Sequence, residues 1–106
     1  VRLLGEDEET AQRVLQRFVE MAGAYLSELA EAAAGGDPRA IQEQAHRLKG
    51  GLSWISAERA ASIAAEIEGL CRSGRSAAAA LLCETLRRET EQVVAAIRGL
   101  AEPPAG

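Results

Sequence analysis

A narrow apolar stripe in the middle of the chain constrains the fold more than any other feature. Apolar side chains recur there at intervals of three and four residues, at Ile41, Ala45, Leu48, Leu52 and Ile55. At about 100° per residue, these positions lie within roughly 40° of one line along a helix. Such a stripe is typical of an amphipathic helix that packs one face against a core. The segment therefore predicts a helix with one buried and one solvated face.

Three further segments repeat this helical spacing. The sequence predicts helices over about 6–34, 38–55, 57–72 and 77–100. In the three additional helices, the residues expected to face the core are Val14, Leu15, Phe18, Met21, Ala22, Tyr25, Leu26, Leu29, Ile63, Ile67, Leu70, Leu82, Leu86, Val93 and Ile97. Four helices joined by short turns form an antiparallel, up-and-down four-helix bundle most economically.

Residues that start and stop helices lie at the predicted boundaries. Asp37 is expected to cap the second helix, and Pro38 supplies a fixed φ in its first turn. Ser56 and Ser76 are the predicted caps of the third and fourth helices. The pair Gly35-Gly36 is expected to end the first helix.

Length and composition agree with this all-α fold. A chain of 106 residues is close to the commonest domain size, and an aromatic content of only 3% favours closely packed helices over strands. We therefore predict one bundle over residues 1–102 and a tail or linker over residues 103–106.

Charge and cysteine content bear on the class of protein. The net charge of −4 argues against a nucleic-acid partner. Because no apolar run approaches the roughly 20 residues of a membrane span and no export signal is evident, we expect a cytoplasmic location, alone or within a larger sensor protein. Cys71 and Cys83 are expected to be buried thiols, neither paired in a disulfide nor bound to metal.

The single histidine, His46, is predicted to lie on the solvated face of the second helix. It falls about 140° from the centre of the apolar stripe, whereas Gly50 falls about 180° and Lys49 about 80° from it. Residues three and four apart are neighbours on a helix, so Lys49 and Gly50 both border the imidazole. Glycine inside a helix costs about 1 kcal/mol relative to alanine, which suggests that Gly50 provides space beside His46. An accessible imidazole beside a cation is suited to accept a phosphoryl group.

The residues around this histidine resemble a known signature. The run Ala45-His46-Arg47-Leu48-Lys49-Gly50, followed by Ile55-Ser56-Ala57, is similar to the signature of histidine-containing phosphotransfer (HPt) domains. Phe18, Asp37 and the pair Ile67-Glu68 add further matches, so that the resemblance extends from about residue 10 to about residue 100. The sequence departs from the family pattern at Ser56, where glycine is usual, at Ala60, where leucine is frequent, at Gly51, where serine or alanine is usual, and at Trp54, where a small or polar residue is typical.

This resemblance implies a phosphocarrier without a nucleotide or metal site of its own, rather than an enzyme. His46 would accept a phosphoryl group from the aspartyl phosphate of a receiver domain and pass it to another receiver. Lys49 would supply positive charge, Gly50 would give access, and Gln42 would orient the ring or the phosphate through a hydrogen bond. No general base or carboxylate cluster is expected beside His46. This chain is therefore expected to carry no cofactor, and the divalent metal of the reaction is expected on the partner receiver.

The expected partners are receiver domains of response regulators or a hybrid histidine kinase, and we expect a monomer. The predicted partner-binding residues are Arg47, Ser53 and Trp54. Leu52 is expected to form part of the same docking surface, and Arg39 to lie near it. Two alternatives stay open. The chain can be the phosphoacceptor domain of a chemotaxis-type histidine kinase, with ATP as donor through a separate catalytic domain. It can also be an inert structural or adaptor bundle in which the glycine pair serves helix packing.

Overall fold

The protein, seen in a computed structural model that describes residues 8–101, is built from four α-helices. In chain order they are α1 (Glu8–Gly35), α2 (Pro38–Trp54), α3 (Glu58–Arg72) and α4 (Ser76–Ala101). Consecutive helices pack side by side and α4 returns to α1, which closes a ring, while α2 and α4 touch only slightly across its diagonal. Because turns of two or three residues join the helices, consecutive helices run antiparallel. The predicted antiparallel four-helix bundle is confirmed.

Both predicted ends of the bundle extend beyond the described part of the chain. The first helix was predicted to begin at about Glu6, and this residue lies outside the described range, as do the last residue assigned to the bundle and the tail over 103–106. Among the described helices, none is long and apolar enough to cross a membrane.

The apolar stripe of α2 lies at the centre of the core, as predicted. Its five members are all buried, with at most 1% of their surface exposed. The prediction was less accurate elsewhere: Met21 is 37% exposed, and the remaining predicted core positions that are only partly buried are Val14, Tyr25, Leu26, Ile63, Leu70, Leu82 and Val93. Small side chains occupy much of the inner face of α3 instead, at Ala60, Ala61, Ala64 and Cys71. Alanine lets α2 and α3 approach closely, which a search for large apolar residues does not reveal.

The helix boundaries follow from local hydrogen bonds and backbone angles. The Asp37 carboxylate accepts hydrogen bonds from the backbone N–H groups of Arg39 (3.1 Å) and Ala40 (3.4 Å), so the predicted cap of α2 is confirmed. Gly36 has a φ of +68°, the left-handed conformation that ends α1.

The predicted cap at Ser56 is wrong. Ser56 has a φ of +63°, and the residue that precedes α3 is Ala57, which makes no side-chain capping bond. The chain needs a left-handed residue to turn from α2 into α3, and that conformation costs an L-residue about 1–2 kcal/mol. This explains why the signature usually has glycine here. Ser76 is the first residue of α4 and not the residue before it.

The two cysteines are free, buried thiols, as predicted. Cys71 is 8% exposed and Cys83 is 5% exposed. Burial raises the pKa of the Cys83 thiol to about 11 and also raises that of Cys71. Both thiols are therefore protonated at neutral pH.

Candidate functional site

His46 lies on the solvated face of α2, as predicted, and its side chain is 69% exposed. Its Nδ1 atom is 3.2 Å from Oε2 of Glu68 on α3. An ionised carboxylate only accepts hydrogen bonds, so Nδ1 carries the hydrogen and donates it to Glu68. In the neutral imidazole this leaves a lone pair on Nε2, for which the described residues provide no hydrogen-bond partner. The ring is thus held in one tautomer with one nitrogen available.

Glu68 is a buried carboxylate at the centre of a charged cluster. Its side chain is only 4% exposed, and three basic side chains surround it. Lys49 Nζ lies 2.9 Å from Oε1, while Oε2 lies 3.5 Å from Arg72 Nη1 and accepts the hydrogen bond from His46. Burial acts to raise the pKa of Glu68, but the contacts with Lys49 and His46 outweigh desolvation and hold this pKa below its usual value. Glu68 is therefore ionised at neutral pH.

No carboxylate cluster was expected beside His46, and among the described residues the structure places a single carboxylate there, that of Glu68. The residue belonged to the pair that matches the family pattern, but the sequence indicated no contact with His46. One signal was present. Glu68 follows Ala64 by four residues and precedes Cys71 by three, so it lies on the buried face of α3. A carboxylate on an apolar helix face requires a partner, because a buried unpaired charge is very costly.

Lys49 and Gln42 were both predicted to assist His46, and neither makes a hydrogen bond to the imidazole in the part of the chain that the structure describes. The ammonium group of Lys49 is bound to Glu68, so it reaches the imidazole through this shared carboxylate. Gln42 lines the cleft beside His46. Within the described part of the chain, no hydrogen bond joins Gln42 to His46. Glu68 is the residue that orients the imidazole ring.

The two adjacent glycines of α2 have different surroundings. A Cβ atom added at Gly50 would meet nothing within 4 Å, so the space next to His46 is open. A Cβ atom at Gly51 would lie 3.2 Å from two ring carbons of Phe18 on α1. Gly51 therefore serves the close packing of α1 and α2, whereas helix packing gives no reason for Gly50.

Trp54 is the most conspicuous of the predicted partner-binding residues. It is 65% exposed and lines an open, mainly apolar groove of about 520 Å³ between α1 and α2. Phe18, Met21 and Gly50 also line this groove. Ser53 is exposed on the same turn of the helix. The inclusion of Leu52 in a docking surface is wrong, because Leu52 is completely buried in the core.

Arg47 is largely engaged within the bundle. Its guanidinium group lies 2.9 Å from Glu43 and 3.9 Å from Glu28, and its Cζ atom is 5.8 Å from the centre of the Tyr25 ring. These contacts place Arg47 against α1. A partner that uses this side chain competes with contacts already made.

The comparisons with known proteins agree with this geometry. A family model described as Hpt domain matches residues 13–96 of the 106, a range that includes His46, Lys49 and Glu68. No curated protein and no solved structure matches the chain. Hpt domains are helical phosphocarrier modules that act in phosphorelays with receiver and kinase partners. Because the match covers most of the chain, the protein belongs to the Hpt family of histidine phosphotransfer domains.

Proposed function

We propose that His46 is the phosphoacceptor of this domain. In this proposal the domain is a phosphorelay intermediate that takes a phosphoryl group from the aspartyl phosphate of one receiver and passes it to another. The observation that carries the proposal is an exposed imidazole whose Nδ1–H is held by the buried Glu68 while its Nε2 is available. The domain would act as a monomer in the cytoplasm, alone or within a larger sensor protein.

The transfer needs no proton to leave the attacking nitrogen. The lone pair on His46 Nε2 attacks phosphorus in line, an N–P bond forms, and the P–O bond to the aspartate breaks with its electron pair going to the carboxylate. The phosphorylated ring keeps its hydrogen on Nδ1 and carries a positive charge. Glu68 stabilises that charge from 3.2 Å, in the manner of the carboxylate that supports the histidine of a catalytic triad. Return of the phosphoryl group to a second receiver reverses these steps.

Lys49 and Gly50 complete the proposed site. Lys49 holds the carboxylate oxygen of Glu68 that His46 does not contact, and it adds positive charge near the transferred group. Phosphoryl transfer depends mainly on positioning and on neutralisation of charge, so a fixed ammonium group is useful there. Gly50 leaves the approach to His46 open. We expect the divalent metal of the reaction on the receiver.

We further propose that the receiver docks across Gly50 onto the groove beside Trp54. The groove is continuous with the face that carries His46, because Gly50 lines the groove and lies one turn from the histidine. Its lining includes Arg13 and Arg17 as well as apolar side chains. Arg13 is paired with Glu9 at 2.9 Å, so Arg17 is the better suited of the two to the acidic surface expected around a receiver's phosphorylation site. Exposed tryptophans are frequent anchors of protein interfaces.

A second candidate is the phosphoacceptor domain of a chemotaxis-type kinase, with ATP as donor through a separate catalytic domain. The contact between His46 and Glu68 favours this candidate as well. A carboxylate bound to Nδ1–H increases the electron density on Nε2, which helps attack on a donor less reactive than an acyl phosphate.

The test is transfer of a ³²P label. The wild-type domain and His46→Gln are each mixed with a labelled phospho-receiver and, separately, with a chemotaxis-type kinase core and labelled ATP. We expect an acid-labile, alkali-stable label on the wild type and none on His46→Gln, with circular dichroism showing equal helix content. Labelling by the receiver supports the relay, and labelling by the kinase core alone supports the second candidate. Equal labelling of His46→Gln would contradict both.

A further inference from the structure

We propose that Arg39 and Arg72 form an oxyanion-binding cleft that holds the phosphoryl group carried by His46. This inference rests on the proposed role of His46 and adds a binding site to it. The cleft lies between the N-terminal half of α2 and the C-terminal end of α3, and it is lined by His46 and three arginines, together with Gln42, Glu43 and Glu68.

The three arginines of the cleft differ in how closely they are paired with its carboxylates. Of the two carboxylates in the cleft, Glu43 is paired with Arg47 at 2.9 Å and Glu68 with Lys49 at 2.9 Å. Of the other two arginines, Arg39 makes no ion pair within residues 9–99, and Arg72 shares Glu68 with Lys49 at a longer distance of 3.5 Å. The cleft therefore holds surplus positive charge in a chain whose net charge is −4.

Arg72 is close to the imidazole and only loosely held. Its Nη1 and His46 Nδ1 lie 3.5 and 3.2 Å from the same oxygen of Glu68, so the guanidinium group neighbours the ring. The contact of 3.5 Å is longer than a strong charge-assisted hydrogen bond, and the Arg72 side chain is 60% exposed. Arg72 is thus free to turn its other N–H groups toward an anion on the outer side of His46.

Arg39 approaches the same place from the start of α2. It precedes His46 by seven residues, which places both on one helix face about 10 Å apart along the axis. Its side chain is exposed and makes no ion pair within residues 9–99, whose side chains the structure describes. A long arginine side chain spans most of that distance. Two guanidinium groups would then flank a phosphoryl group on Nε2, each with planar N–H groups that match phosphate oxygens.

The first test is the binding of inorganic phosphate to the unphosphorylated domain, followed through the NMR signals of the His46 ring. Wild type is compared with Arg39→Gln, Arg72→Gln and the double variant. The matched control is Arg88→Gln, which removes one exposed positive charge from α4, outside the cleft. We expect a saturable shift in wild type and in Arg88→Gln, about fivefold weaker affinity in each cleft variant, and no saturable shift in the double variant. Sodium chloride at equal ionic strength should not reproduce the shift.

A second measurement separates this cleft from the role of His46. The same proteins are phosphorylated with phosphoramidate, a small phosphodonor that needs no partner, and the retained label is measured. Labelling of His46 with identical phosphate affinity in wild type and the double variant would overturn the cleft and leave the phosphoacceptor intact. Phosphate binding that depends on both arginines, without any labelling of His46, would support the cleft while the proposed function fails. A merely structural Arg72 would alter the His46 signals without phosphate and leave the phosphate affinity unchanged.

Discussion

Glu68 links side chains from two helices into one electrostatic unit. It is almost completely buried, yet its pKa is lowered, because the contacts with Lys49 and His46 outweigh the desolvation of the carboxylate. The same negative charge fixes the imidazole tautomer and offsets the positive charge of a phosphorylated ring. In the proposed function, Glu68 would position Nε2 of His46 without touching the phosphoryl group.

Replacement of Glu68 by glutamine should slow phosphorylation of His46. Glutamine keeps the shape of the side chain but removes the charge, and its amide can donate to Nδ1 and favour the wrong tautomer. We expect the rate of labelling by phosphoramidate to fall at least about tenfold, the lower end of the losses seen when the partner of a metal-binding histidine is replaced. The ¹⁵N chemical shifts of the His46 ring should show a mixture of tautomers.

The matched control is Glu66→Gln, which changes an exposed carboxylate on the same helix. It should label at the wild-type rate. If Glu68→Gln labelled as fast as Glu66→Gln, the positioning role of Glu68 would be wrong.

The sequence was sufficient to place His46 and insufficient to find its partner. The exposed position of His46 follows from the angle between residues of one helix, which the spacing of α2 specifies. The contact with Glu68 spans 22 residues and depends on the axial register of α3 against α2. Periodicity gives the inner face of each helix, but it does not specify how far one helix is shifted along another.

At the scale of the element, α2 combines two glycines with opposite demands. Gly50 faces open space, while Gly51 lies against the ring of Phe18. From sequence the pair looked like one feature. The close approach of α1 shows that only Gly51 is required by packing.

Alanine substitutions should separate the two glycines in stability. Gly50→Ala should raise the free energy of unfolding by up to about 1 kcal/mol, because alanine favours the helix and its methyl group meets nothing. Gly51→Ala gains the same propensity, but its methyl group would lie 3.2 Å from the buried Phe18 ring. We expect Gly51→Ala to be less stable than Gly50→Ala by at least about 1 kcal/mol.

The measurement is urea denaturation followed by circular dichroism at 222 nm. Gly23→Ala on α1, where an added Cβ also meets nothing within 4 Å, is a second reference for the gain in helix propensity. Equal stabilities for Gly50→Ala and Gly51→Ala would show that the contact with Phe18 does not limit the packing of α1 and α2.

The turn between α2 and α3 shows a different limit of sequence interpretation. Serine before an acidic residue is a usual sign of a helix cap, and it suggested that role for Ser56. The backbone instead requires a left-handed residue at Ser56, which local propensity does not favour. The family pattern has glycine at the position of Ser56, and that glycine was the better indicator of a left-handed backbone there.

At the scale of the whole molecule, the ring of helices gives α2 two different flanks. The flank toward α3 carries the charged cluster around Glu68, and the flank toward α1 carries the apolar groove beside Trp54. Gly50 lies between them on the solvated side of the helix. The proposed chemistry and the proposed docking surface therefore lie on separate sides of one helix, and they should be separable by mutation.

Trp54→Ala should slow transfer from a phospho-receiver about tenfold, because truncation of an interface tryptophan often costs more than 1 kcal/mol of binding. The measured quantity is the rate of transfer from the receiver divided by the rate of labelling by phosphoramidate, which corrects for any change at His46. Leu81→Ala is the matched control, since Leu81 is a large apolar residue on α4 that is 79% exposed and lies outside the groove. The ratio should fall for Trp54→Ala and stay at the wild-type value for Leu81→Ala. An equal ratio in the two variants would contradict docking of the receiver on the groove beside Trp54.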